Sequence, residues 1–291
     1  LLVYYWAWDF TGRRAPAFLA ALLFGIAPTH ITTVAWITAL NRLLGTFFFL
    51  LALIFLHHYL KSGRASPWPA AASFAAFILA ILSDEVGAAF VPILALYAWL
   101  FHYWPRRAAL VFLYMAQAGR PYLKPTDYKL GWHMAQNFWT YLGRFAFPMG
   151  AKGPSTFWLS HRIGGAILWG LGLYFLVRGP SRARFLVLWV PLALLPFLPW
   201  TWQTPGRYAY LASIPFFLGL SLLGLWAYER AWRLSHRWAK VGAALLLIIA
   251  LALASSQTLD QNGAHAFAAN RYRVLVELLQ EALPSAPPKS R

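Results

Sequence analysis

Apolar runs recur along the whole chain, separated by short polar or basic breaks. Runs of about 17 to 25 residues are long enough to cross a bilayer as helices. The pattern predicts a first helix finishing over 1–9, a tight basic loop at Gly12-Arg13-Arg14, and a short second run over 15–26 stopped by Pro28. Spans follow at about 43–60, 66–82, 86–103 and, more weakly, 108–118. Residues 119–159 break the rhythm with a long polar and aromatic segment punctuated by Pro121, Pro125, Pro148 and Pro154. Inside it, Leu130, Met134, Phe138, Tyr141 and Leu142 recur at helical spacing, so 130–146 is expected to be a helix lying in the membrane interface. Spans at about 160–177, 185–200, 208–227 and 238–255 complete the series. The polar tail holds an amphipathic helix at about 265–283, carrying Val274, Leu275, Leu278, Leu279 and Leu283 and ended by Pro284, Pro287 and Pro288.

The expected fold is all-α: a polytopic helical membrane protein of about nine to ten transmembrane helices plus interfacial helices. Residues 1–256 form the transmembrane domain, with 119–159 as its extracytoplasmic segment, and 257–291 an extracytoplasmic amphipathic tail. Composition agrees. The chain is 60% hydrophobic, 18% aromatic and 11% charged, where a soluble domain carries about a quarter charged residues. Sixteen tryptophans and fourteen tyrosines suit the aromatic belts of membrane interfaces. The lack of cysteine excludes a disulfide framework and thiolate chemistry. The chain starts Leu1-Leu2-Val3-Tyr4-Tyr5, without a charged region ahead of an apolar core, which is not a signal peptide. It reads as the end of a membrane helix whose beginning lies upstream.

A net charge of +17 raises nucleic-acid binding, but the basic residues sit between apolar runs and form no separate basic domain. They read instead as markers of cytoplasmic loops that also attract anionic lipid. One set of alternate loops carries Arg13, Arg14, Lys61, Arg64, Arg106, Arg107, Arg178, Arg182, Arg184, Arg230, Arg233, Arg237 and Lys240, whereas the short loops opposite carry only Arg42 and Arg207. The first set is assigned to the cytoplasm, which places 27–42, 83–85, 119–159, 201–207 and the tail outside.

Three polar spots fall on that outer side. The first is Ala27-Pro28-Thr29-His30-Ile31-Thr32-Thr33-Val34-Ala35-Trp36. The second is Ser83-Asp84-Glu85, which holds two of only eight acidic residues at the mouth of two apolar helices. A carboxylate at membrane depth is costly unless paired or wet, so it marks either a function or an ion pair. Asp84 and Glu85 read equally as solvated residues capping the following helix. The third is Gly206-Arg207-Tyr208, where a guanidinium flanked by Tyr208 and Tyr210 suits bidentate phosphate binding, or else snorkels to the interface. His30 is suited to bond a phosphate or sugar hydroxyl, or to a structural role. Trp36 reads as an interface anchor or a sugar platform. No metal site stands out: His57 and His58 lie on the cytoplasmic side, and adjacent helical residues diverge by about 100°. The sequence contains no HExxH, phosphate loop, GxGxxG or GxSxG.

Residues 16–60 resemble the segment His-Pro-x-His-x-Glu-x-Val-Ala-Trp-Ile followed by a Leu-Leu helix. That segment occurs in integral-membrane glycosyltransferases of the GT-C type, nearest the tetratricopeptide-bearing O-mannosyltransferases and their bacterial relatives. Leu82-Ser83-Asp84-Glu85, with Pro92 and Tyr97, resembles that family's Leu-Ser-Lys-Glu helix start, and Gly206–Ser213 resembles its Glu-Arg-Tyr-x-Tyr-Leu-Pro-Ser. Order and spacing agree over roughly 1–256. The departures are Ala27 for a histidine, Thr32 for the glutamate, Arg42 for the aspartate before the Leu-Leu pair, and Asp84 for the lysine of Ser-Lys-Glu. The outer loop in which the family keeps its catalytic aspartate would precede Leu1, and no tetratricopeptide repeats follow.

The resemblance implies transfer of a sugar from a polyprenyl-phosphate donor to a protein or glycan acceptor, by a multi-pass inner-membrane protein whose polar site faces the periplasm. The candidate catalytic carboxylates in this sequence are Glu85 and Asp84, which would position acceptor or donor; Arg207 would be the donor-phosphate ligand and His30 its support, with Tyr208, Tyr210 and Trp36 lining the cavity. Partners would be the polyprenyl-phosphate lipid, the acceptor and membrane lipids, without nucleic acid. No cofactor is called for beyond the lipid-phosphate sugar, and a divalent metal is left open. The alternative is a degenerate relative acting as a structural subunit of a membrane complex.

Overall fold

The computed structural model describes residues 1–27, 30, 33–34, 39–61, 66–84, 87–101, 129–146, 156–201, 206–233, 273–274 and 277, without the side chains of 87–88, 156–161, 206–207 and 231–233. The described chain is all-helical. Its helices are α1 (Leu2–Thr11), α2 (Arg14–Gly25), α3 (Leu40–Lys61), α4 (Trp68–Ser83), α5 (Gly87–Leu100), α6 (His133–Ala146), α7 (Thr156–Arg178), α8 (Ser181–Leu194) and α9 (Tyr210–Arg233). Two short 3-10 turns, Leu195–Phe197 and Gly206–Ala209, lie between α8 and α9.

Local chemistry sets several of these boundaries. Helix α1 ends at Gly12, whose φ of 72° is the left-handed cap conformation and whose amide donates to the Trp8 carbonyl. Helix α4 carries Pro69 in its first turn, where no amide is needed. It stops at Asp84, which turns into extended backbone (φ −141°, ψ 137°). Pro92, Pro191 and Pro215 lie inside α5, α8 and α9, where each removes one helical amide donor.

Contacts between helix ends fix the course of the chain. At one end Arg13, just before α2, pairs with Glu229 late in α9. There also the Asp9 carboxylate at the end of α1 meets His57, His58 and Lys61 at the end of α3, and His57 Nδ1 hydrogen-bonds the Tyr97 hydroxyl of α5. At the opposite end the exit of α2 reaches the start of α9 through His30 and Ser213. There too the start of α3 meets the exit of α4 through Arg42 and Asp84. Helices α1 to α5, α8 and α9 therefore run alternately between the two ends. Between them lies an aromatic core. Trp6 meets Trp189 edge-on at 5.1 Å, and Phe49 stacks on Phe90 at 4.5 Å. Trp6, Trp189, Phe49 and Phe90 are all buried.

The outer surface is also apolar. Leu44 and Phe47 of α3, Phe74 and Leu79 of α4, and Ile163 and Ile167 of α7 are exposed. Helix α3 and residues Tyr210–Arg230 of α9 are long and apolar enough to cross a membrane.

The expected elements at 1–9, 15–26, 43–60, 66–82, 86–103, 130–146, 160–177 and 208–227 correspond to α1 to α7 and α9, with ends moved by a few residues. The run at 185–200 begins four residues earlier than expected, at Ser181, and its α-helix stops at Leu194. Pro196 then lies in the Leu195–Phe197 3-10 turn: proline has no amide to continue an α-helical ladder. The spans at 108–118 and 238–255, and most of the tail helix, lie outside the described residues. Arg273, Val274 and Glu277 are helical there, with Arg273 and Glu277 paired at 3.1 Å one turn apart.

Candidate functional site: a buried polar cluster at one end of the bundle

Two of the polar spots expected from the sequence converge. The Arg42 Nε stands 3.4 Å from Asp84 Oδ2, and the two side chains keep only 9% and 1% of their surface open. The Arg42 guanidinium lies 4.5 Å from the centroid of the Tyr208 ring and 5.2 Å from that of Phe197. Those two rings stack on each other at 4.2 Å with a 15° tilt. The Tyr208 face thus supplies π-electron density to a guanidinium whose water has been largely removed, where such a contact is strongest. The close approach of α3 and α4 depends on Gly45: a Cβ there would sit 2.7 Å from the Asp84 Cβ.

Asp84 caps α4 and is a buried partner of Arg42, so its carboxylate is held rather than solvated. The long 3.4 Å separation neutralises charge without forming a hydrogen bond at Nε.

The second group is centred on His30. Its Nδ1 lies 2.7 Å from the Phe24 carbonyl and its Nε2 2.8 Å from the Ser213 hydroxyl. A carbonyl only accepts, which puts the ring proton on Nδ1 and leaves Nε2 to accept from Ser213. The Ser213 hydroxyl is also 2.6 Å from the Tyr210 carbonyl, so one proton serves two acceptors. Burial pushes the imidazole down to about 4, against a smaller upward pull from the Phe24 carbonyl, and the ring is neutral at pH 7. Phe24 and Tyr210 rings pack against it at 4.4 and 4.7 Å. His30 therefore latches the exit of α2 to the start of α9, with both ring nitrogens engaged inside the protein.

Of the residues expected to form the site, Asp84, Tyr208, Tyr210 and His30 lie at this end of the bundle. Glu85 and Trp36 are outside the described residues, and Arg207 is described only as backbone within the Gly206–Ala209 turn. Sequence reasoning passed over Arg42 as a site residue, although its signal was present: it is one of two basic residues in the short loops of that side. It also passed over Asp9, whose carboxylate lies 3.6 to 3.7 Å from His57 Nε2, His58 Nε2 and Lys61 Nζ at the other end. Among the described residues no group of histidine, aspartate and glutamate side chains is arranged to hold a metal ion. No family model, curated protein or solved structure matches the chain.

Proposed function

We propose that the chain is a membrane glycosyltransferase-like protein that transfers a sugar from a polyprenyl-phosphate donor to an acceptor on the extracytoplasmic face. The observation that carries this reading is the Arg42–Asp84 contact. The resembled pattern has an aspartate at the position of Arg42 and a lysine at that of Asp84. Two departures that look unrelated in the sequence are thus the two halves of one ion pair, with its polarity exchanged. A paired exchange preserves the electrostatic function of both positions, and it supports the resemblance where single motifs are only moderately specific.

The membrane setting draws on the same geometry. From Arg42 to Lys61, α3 rises about 28 Å at about 1.5 Å per residue, close to the roughly 30 Å hydrocarbon thickness of a bilayer. Both helix ends are polar and the exposed surface between them is apolar. The proposed chain crosses a bacterial inner membrane nine to ten times. The end with Arg13, Arg14, Lys61, Arg178 and Arg182 faces the cytoplasm, and the Arg42–Asp84 end faces the periplasm.

In this reading Arg207 holds the donor phosphate bidentately. Glu85, beside the braced Asp84, takes the proton of the acceptor hydroxyl as its oxygen bonds to the anomeric carbon. The bond from that carbon to the phosphate oxygen breaks, and polyprenyl phosphate leaves. Tyr208, Tyr210 and Trp36 line the cavity, and His30 holds the loop beneath it.

A second reading, a non-enzymatic subunit of a membrane complex, is favoured by the engagement of Asp84 and His30 in contacts within the protein. Release of polyprenyl phosphate from a labelled polyprenyl-phosphate sugar, assayed with the full chain in lipid vesicles, separates the two. Acceptor-dependent release supports the transferase, and none with any acceptor supports the subunit.

A further inference from the structure

Arg42 stands out among the described residues of the cluster as a buried cation whose donors are not all used. Its side chain is more than nine-tenths buried, yet among the described residues neither Nε nor Nη1 has a hydrogen-bond partner. A guanidinium carries five N–H donors, and leaving charged donors unmade in a desolvated site is expensive. Asp84 supplies opposite charge at 3.4 Å but no hydrogen bond to these nitrogens. The Tyr208 and Phe197 rings supply π contact, and rings do not take up N–H donors as an oxyanion does. Unfilled donors on a buried cation call for an explanation, and a bound ion is one that matches their charge.

We infer that Arg42 is an anion-binding residue whose unspent donors take the oxygens of a phosphoryl group. The chemistry it selects is a phosphate ester or free phosphate: planar N–H pairs match phosphate oxygens bidentately, which a lysine ammonium does not reproduce. The location is the mouth formed by the start of α3, the exit of α4 and the Gly206–Ala209 turn. Asp84 then faces the guanidinium at Nε, the anion takes Nη1, and the Tyr208 ring packs against the guanidinium. This rests on the donor reading above for the identity of the ligand, and it adds a second cation to Arg207.

The test measures binding of polyprenyl monophosphate, with polyprenol as the uncharged control, and of inorganic pyrophosphate to the full chain in nanodiscs. Wild type is expected to bind the lipid phosphate over the alcohol. Arg42→Lys is expected to weaken that binding about tenfold, the factor equivalent to losing one good bidentate hydrogen bond. Should Arg42→Gln fail to fold because the buried Asp84 carboxylate loses the Arg42 countercharge, Arg42→Gln with Asp84→Asn carries the test. Binding of pyrophosphate that depends on Arg42, without lipid-phosphate binding, upholds the anion site and rejects the lipid donor. Lipid-phosphate binding that is lost in Arg207→Gln but unchanged in both Arg42 variants keeps the donor and overturns the role of Arg42. Absence of binding to every phosphate probe overturns it too.

Discussion

The guanidinium of Arg42 and the carboxylate of Asp84 meet at 3.4 Å with their side chains almost fully buried, and they hold the entrance of α3 to the exit of α4. Breaking such a pair from one side leaves an uncompensated buried charge, at a cost of about 3 to 5 kcal/mol. Arg42→Asp and Asp84→Lys should each destabilise the protein by that order. The double variant, which restores the polarity of the resembled pattern, should recover most of it. Thermal unfolding of the four proteins in one detergent forms the cycle. Additive losses would show that the two residues do not interact.

Gly45 permits that meeting. A methyl group there would stand 2.7 Å from the Asp84 Cβ, so Gly45→Ala must push α3 and α4 apart, at a cost of about 1 to 3 kcal/mol. Gly219→Ala on α9, where nothing lies within 4 Å of the added carbon, should be close to neutral. Equal melting temperatures for the two variants would rule out the close approach of α3 and α4.

His30 gives the protein an acid-sensitive latch. Its folded value of about 4 lies below the unfolded value of 6.5, so the unfolded chain binds the extra proton first. The latch's contribution is complete above about pH 6.5 and is lost progressively as pH falls towards 4, by on the order of 3 kcal/mol. His30→Gln should flatten that part of the stability profile. An unchanged profile between pH 6.5 and 4 would show that His30 does not carry it.

Much of this architecture is legible in the sequence because one periodicity dominates. Runs such as Leu40–Lys61 are helical at any depth of burial, so their existence follows from length and apolarity alone. Helix ends were legible where a local residue dictates them, as at Gly12. The Arg42–Asp84 pair was not, because its members are forty-two positions apart and nothing local ties one to the other. What paired them is the crossing of α3 and α4 at Gly45, a tertiary fact. The same holds for Asp9, a single carboxylate near the start of the chain that gathers three groups from the end of α3.

Asp9 is the countercharge shared by three groups at the end of α3. Asp9→Asn removes the countercharge facing His57, His58 and Lys61, whose nitrogens lie 3.6 to 3.7 Å away. The expected loss is about 1 to 3 kcal/mol, read as a lower melting temperature than wild type at both pH 6 and pH 8. A melting temperature equal to wild type at both values would show that this end is held by apolar packing alone.

The most direct measurement of the account as a whole is sugar transfer from a labelled polyprenyl-phosphate sugar by the full chain in vesicles, comparing wild type, Arg207→Ala, Glu85→Gln and the remote control Glu229→Gln. Glu229 pairs with Arg13 at the opposite end of the bundle. Transfer by wild type and Glu229→Gln, with at least a hundredfold loss in the other two, is the predicted result, that factor corresponding to about 2.7 kcal/mol of transition-state stabilisation. Equal transfer by all four proteins would contradict it.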